Sequence, residues 1–360
     1  APGWLAGLRS ASLAALLVAA TGCASEGPPV DTGPPLPWAR TAIGDMPHPV
    51  DNPPSEAKHE LGRMLFYDPL LSRDKQVACA TCHSEIWGMS DGLPLSVGVD
   101  GVGPVGPGRT GPNVTTRNAP TLWNVGYRQA LFWDGRSPTL EHQALLPIEN
   151  EVEMDRDLDA VLADLAANDG YVALFEAAFG PGTIDATRTA QALAVFQRSF
   201  ITKLAPYDRY ARGDAGALKE EALEGMFLFA EAGCATCHAP PLFESGIFAN
   251  RGVGTDDPGH AEVSGDDADY GAFQTPTLRN LRETGPYFHD GSVVDLTEAV
   301  AHEVARSVAE GSSRPLSEAE TLAIATFLDK GLMDRSLEPD RPEAVPSGLD
   351  VPLDGFRIPR

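Results

Sequence analysis

The sequence predicts a mainly α-helical fold of two similar units connected by long loops. Three observations carry this reading. The pentapeptide Cys79-Ala80-Thr81-Cys82-His83 returns letter for letter as Cys234-Ala235-Thr236-Cys237-His238. A stretch with apolar residues at helical spacing precedes each copy, and strand signals are few throughout. At 360 residues the chain is long enough for two units with cores of their own.

A C-x-x-C-H run is the attachment signature of a c-type haem. Both thiols add across the porphyrin vinyl groups, and the following imidazole takes one axial face of the iron. The same residue types also build zinc sites. A His directly after the second Cys in both copies favours haem. Two covalently bound c-type haems are therefore expected, one on Cys79, Cys82 and His83, the other on Cys234, Cys237 and His238. Each would sit in a cytochrome c-like domain, 45–205 and 206–335, a pairing that suggests internal duplication. The motifs use four of the five cysteines, so no pair remains for a disulfide.

Taken in order, the chain opens with Arg9, an apolar run from Leu13 to Ala20, and Thr21-Gly22-Cys23. Residues 1–23 read as an export signal too short to span a membrane. It is of lipoprotein type, with Cys23 as the lipidated residue and a route to membrane attachment. Residues 24–44 form a Pro/Gly-rich tether. This places the protein in the periplasm or cell envelope. His59–Phe66 has helical spacing and stops at Asp68-Pro69. Gly88 to Pro120 is a long turn-rich segment, expected to wall a haem pocket.

Asp185 is the expected N-cap of a helix through Ile201 that buries Leu193, Phe196 and Phe200. Ala205 to Gly216 reads as a polar loop at the domain boundary. A helix over Leu218–Ala230, burying Leu223, Met226, Phe227 and Ala230, then leads to the second motif. Val253 to Gly271 reads as an exposed acidic loop. Ser317-Glu318-Ala319-Glu320 is a capping box opening a helix that Gly331 closes. Residues 336–360 read as a C-terminal tail.

With 51 acidic and 27 basic residues the formal charge is −24. That argues against nucleic acid or an anionic membrane surface as partner, and favours a cationic protein such as a basic electron carrier.

Between and around the two motifs stand Leu65-Phe66-Tyr67-Asp68-Pro69, Arg117-Asn118-Ala119-Pro120-Thr121, Phe132-Trp133-Asp134-Gly135-Arg136 and Glu153-Met154. Tyr207-Asp208-Arg209-Tyr210, Pro276-Thr277-Leu278-Arg279-Asn280 and Pro286-Tyr287-Phe288-His289-Asp290-Gly291 follow. In these landmarks, from about His59 to Leu332, the chain resembles the bacterial di-haem cytochrome c peroxidases and the related MauG-type enzymes.

The resemblance implies that hydrogen peroxide reacts at the His83 haem and that the His238 haem receives or stores electrons. Trp133 matches the family's relay between the haems, its alternative being a packing aromatic. Gln143 and Glu153 match the distal pair, where a carboxylate can move a proton from the inner to the outer peroxide oxygen. His142 and Glu151 depart from the family pattern, and two of Glu149, Glu151 and Glu153 are expected to be solvated. Asn118 with the main-chain oxygens of Thr284 and Pro286 matches a calcium site. The resemblance also implies a homodimer.

Two further departures bear on mechanism. Where many family members carry a His that caps the oxidised peroxidatic iron, this chain reads Ser96-Val97-Gly98-Val99, and valine cannot ligate iron. The first iron should therefore be open without reductive activation. At the distal position of the second haem, Met in peroxidases and Tyr in MauG-type enzymes, stands Glu303 with His302 beside it. On a helix from Leu296, Glu303 falls on the face of Val300 and Val304, while His302 points about 120° from Leu296. A carboxylate there needs a partner. The iron, ligated by Glu303 or by His302, is one candidate, and absence of a protein ligand is the other.

Three functions follow. The leading one is a peroxidase taking electrons from a small cytochrome c or cupredoxin. The second is a MauG-like oxidase modifying Trp or Tyr of a partner protein. The third is a non-enzymatic di-haem electron carrier.

Overall fold

The computed structural model describes residues 33–254, 256–336 and 341–355. The expected export signal, Cys23 and the first part of the tether lie outside the described residues. The expected helical class is found. In the first half run α1 (Glu56–Tyr67), α2 (Cys79–Cys82), α3 (Leu140–Gln143), α4 (Leu146–Glu149), α5 (Leu158–Ala166), α6 (Asp169–Phe179) and α7 (Ala186–Gln197). In the second half run α8 (Pro206–Ala211), α9 (Glu220–Glu231), α10 (Ala261–Ser264), α11 (Leu296–Ala309) and α12 (Glu318–Thr326). Among the described residues the only strands are β1 (Phe248–Ala249) and β2 (Phe273–Gln274), antiparallel with Phe248 opposite Gln274.

Local chemistry explains most boundaries. Ser55 caps α1 by accepting from the Lys58 amide, and Asp68 ends it in extended backbone before Pro69. Asp185 caps α7 through the Arg188 amide. That helix stops at Gln197, short of Ile201, because Ser199 takes the Phe196 carbonyl with its own hydroxyl at 2.6 Å. The capping box of α12 forms as read, with Ser317 and Glu320 bonding reciprocally.

Three local expectations are corrected. The stretch 205–216 is not all loop: Pro206 starts α8, Asp208 accepts from the Ala205 amide, and Tyr207 and Tyr210 are buried at i, i+3. On α9 the buried face runs through Ala222, Gly225, Met226 and Phe229, leaving Phe227 exposed. Helices α5 and α6, for which no element was expected, are nucleated by Asp157 and Asn168 side-chain caps.

Two apolar cores form. One joins α1, α6 and α7 through Leu61, Leu65, Phe66, Phe175, Leu193 and Phe196, the other joins α9, α11 and α12 through Met226, Phe229, Val300, Val304 and Ile324. The helix preceding each C-x-x-C-H motif crosses a later helix at a glycine. Gly62 meets Ala192 and Phe196, and Gly225 meets Ala323 and Phe327, each pair four residues apart. A second parallel lies in the loops. Asn124 and Asn280 both take left-handed backbone (φ 60° and 56°). Thr121 and Thr277 both use Oγ1 to accept an amide two residues on and to donate to a carbonyl of the loop after a motif.

The segment 341–355, read as part of a tail, packs back onto the first half. Val345 joins the first core, and Ser347 donates to Asp68 at 2.7 Å.

Candidate active site

Helix α2 is one turn, closed by the His83 amide bonding the Cys79 carbonyl at 3.0 Å. It sets both thiols and the imidazole in the lining of one pocket. Phe66, Leu122 and Leu193 supply apolar lining, and Gln143, Gln197 and Glu153 supply polar groups. His83 Nδ1 bonds the Met89 carbonyl at 2.9 Å, so the ring's other nitrogen is the one left for a metal. Burial pushes His83 down to about 4, which keeps it in the neutral, ligating form. His238 has the same arrangement, with Nδ1 against the Phe243 and Pro276 carbonyls at 3.2 and 3.1 Å, and burial again pushes it to about 4. Two thiols for attachment to the porphyrin and a neutral, oriented imidazole for the iron are what a c-type haem requires, and both motifs present them.

Glu153 is aimed by a tight turn. Its amide bonds the Asn150 carbonyl at 3.0 Å, and Asn150 Nδ2 donates to its carboxylate at 2.7 Å. Burial raises its pKa, opposed by the Arg136 charge and the Asn150 bond. Glu149 and Glu151 are exposed, leaving Glu153 as the acidic group of the cavity. Gln143, the last residue of α3, faces the same space, whereas His142 is exposed and bonds Ser137.

The segment 88–120, expected to wall the haem pocket, contributes the buried Met89 whose carbonyl holds His83. It buttresses the turn from behind: the Val99 amide bonds the Glu153 carbonyl at 2.9 Å. A Cβ on Gly98 would lie 2.1 Å from the Val152 carbonyl oxygen, so only glycine allows this approach. Val99 itself is fully buried in the first core.

Trp133 bonds both halves of the chain. Its Nε1 donates to the Asn118 carbonyl at 2.8 Å, and its own carbonyl accepts from the Gln274 amide at 2.8 Å. His289 lies edge-on at 6.5 Å and stacks on Phe273 at 3.6 Å. Asp134 next door pairs with Arg117, which also grips Asp257 in the acidic loop. Asn118 donates its side-chain nitrogen to Leu93 and Pro94, and Thr284 packs its methyl near Gly88.

Glu303 finds a partner that no local sequence signal indicates, Arg251, at 2.8 Å. Arg251 also holds Glu310, and its carbonyl takes His302 Nε2 at 2.9 Å. The Glu303 carboxylate still acts on the second motif: burial first, then Glu303, push the Cys234 thiol up to about 12. Arg251 is 52 residues away in sequence, so only folding brings the two together.

A family model described as di-haem cytochrome c peroxidase matches residues 56–216. The methylamine utilization protein MauG of Methylophilus methylotrophus is 35% identical over 302 residues, covering 80% of this chain and 87% of that one. The chain belongs to the di-haem cytochrome c peroxidase family. Within it, a cytochrome c551 peroxidase of Nitrosomonas europaea is 36% identical over 67% of this chain and 71% of its own. A crystal structure of a MauG-like protein associated with microbial copper homeostasis superposes with a TM-score of 0.72 at 29% identity, covering 83% of this chain and 97% of that one. Family membership implies two c-type haems and makes the protein an oxidoreductase that uses peroxide.

Proposed function

We propose that the protein reduces hydrogen peroxide to water at the His83 site without prior reductive activation, and draws the electrons from a protein partner through the His238 haem. The observation that carries this is Val99. It is buried, apolar and bonded by its amide to Glu153, where an activation-dependent enzyme would need an iron-binding His.

A c-type haem supplies the redox-active iron. Glu153 would accept a proton from one peroxide oxygen and return it to the other, so that water leaves. Two electrons and two further protons complete the conversion to two waters. Gln143 orients the peroxide from the same wall. Trp133, bonded into both halves, is the relay through which electrons arrive.

A small cytochrome c or cupredoxin is the first donor reading, and the charge of −24 suits a basic one. The second reading is oxidation of a Trp or Tyr in a partner protein. It is favoured by Glu303, held by Arg251, in the position of the usual Met, and by the likeness to MauG. Adding stoichiometric peroxide to the fully oxidised protein tests the common core: a prompt change in the haem spectrum is expected. No change, even after half-reduction, would leave an electron carrier. Rapid turnover with a reduced cytochrome then supports the first donor reading, and covalent change in a partner's aromatic residue the second.

Asn118 with the Thr284 and Pro286 carbonyls is the calcium site the resemblance implies, and Asn118 uses its amide nitrogen on the Leu93 and Pro94 carbonyls. Residues 1–23 support export, a cell-envelope location and lipidation at Cys23. Among the described residues no helix is long and apolar enough to cross a membrane. The paired glycine crossings support duplication. Resemblance alone supports a homodimer.

A further inference from the structure

The turn that follows the first axial histidine is clamped by the far end of the chain. Ser84 is fully buried and its hydroxyl donates to the Asp354 carboxylate, a contact spanning 270 residues. The same hydroxyl accepts from the Ile86 amide at 3.2 Å and so caps the turn Glu85–Trp87. Arg341 forks onto Glu85 at 2.7 and 3.0 Å, meets Asp354 at 2.8 Å and donates to the Pro352 carbonyl. Both Arg341 and Asp354 are nearly inaccessible, with side-chain exposures of 6% and 2%. The strap is anchored on its other side by the Val105 amide, which bonds the Leu353 carbonyl at 3.0 Å.

These contacts converge on one hydrogen bond. The Met89 amide bonds the Ser84 carbonyl at 2.8 Å, and the Ser84 amide bonds the Ser90 carbonyl at 2.8 Å. Met89, fully buried between these bonds, offers its carbonyl to His83 Nδ1 at 2.9 Å. The strength of such a bond sets how much charge the opposite ring nitrogen donates to a metal. At the second motif the corresponding loop is held from within the second half: Arg279 forks onto Asp208 and donates to the Pro241 carbonyl, Thr277 donates to the Leu242 carbonyl, and the carbonyls that take His238 are those of Phe243 and Pro276.

We propose that the C-terminal segment 341–355 is a positioning element of the peroxide site. Arg341 and Asp354 hold the Ser84–Ser90 turn, and through it the bond from His83 to Met89, so tuning the first iron and not the second. The proposal rests on haem attachment at His83, which family membership supplies, and is independent of the electron donor.

The test uses the full-length di-haem protein with Asp354→Asn, Arg341→Ala and Arg341→Lys. Each haem's reduction potential is measured by spectroelectrochemical titration, and the iron–histidine stretch by resonance Raman on the reduced protein. A loosened bond weakens donation to the ferric iron. The first potential should therefore rise by roughly a tenfold change in the reduction equilibrium, about 59 mV, and the stretch should fall. The second haem should not move. Arg341→Lys, which keeps the charge and loses the fork, should shift less than Arg341→Ala. A folded variant with a lower melting temperature but an unmoved first potential and stretch would overturn the proposal, as would equal shifts at both haems. Should Arg341→Ala not fold, Asp354→Asn, which keeps the shape but replaces the oxygen that accepts from Arg341 with an amide nitrogen that cannot, decides by the same readouts.

Discussion

Gly62 lies so close to Ala192 that a Cβ on it would stand 2.1 Å from the Ala192 carbonyl oxygen. Gly225 repeats this at 1.9 Å from the Ala323 carbonyl. The obstacle in both cases is backbone, which cannot swing aside. Gly62→Ala and Gly225→Ala should each force the helix pair apart at a cost of about 1–3 kcal/mol or more. In thermal melts Gly44→Ala, where the added methyl meets nothing within 4 Å, should be near neutral. Equal melting temperatures for Gly62→Ala and Gly44→Ala would contradict the packing argument.

On the proposed mechanism Glu153 moves the peroxide proton, so Glu153→Gln should slow the reaction with peroxide by about 10²–10⁴-fold while leaving both haems attached. Its pKa is raised, chiefly by burial. The proton-accepting form is the carboxylate, so the wild-type rate should fall as pH drops through that raised value, above the range of a free Glu. The pH profile of the stopped-flow rate checks this, and the Gln variant should lack that limb.

Trp133→Phe keeps an aromatic ring but removes the Nε1 donor to Asn118. Peroxide should still react at the first site, whereas withdrawal of electrons from the second haem should slow by about tenfold or more. If Trp133 serves packing alone, the two rates will stay in step.

The Arg251–Glu303 pair should set the potential of the second haem. A carboxylate near iron stabilises the ferric state and a guanidinium opposes it. Glu303→Gln should therefore raise the second potential and Arg251→Gln lower it, each on the order of tenfold in the reduction equilibrium. Shifts of the same sign in both variants would point to rearranged ligation in place of a field effect.

Much of this was legible in the residues. The two C-x-x-C-H motifs state their chemistry in five positions, because attachment and axial ligation come from neighbours on one helical turn. The caps at Ser55, Asp185 and Ser317 are likewise local, since a cap satisfies amides two or three residues away. Burial of Phe227 was misread because two apolar faces of α9 compete, and which one turns inward is set by where Gly225 lets α12 approach.

By itself the sequence determined the helical class and the two C-x-x-C-H motifs, and its family resemblance pointed to Glu153 and to Val99. Only the tertiary structure decided what those groups lean on. Arg251 for Glu303, Val99 behind Glu153, and Arg341 with Asp354 under the His83 turn are contacts across 52, 54 and more than 250 residues. The physical reason is that periodicity and spacing encode interactions within a few turns of chain. The partner of a buried charge, by contrast, is whichever group the completed packing brings within hydrogen-bonding distance.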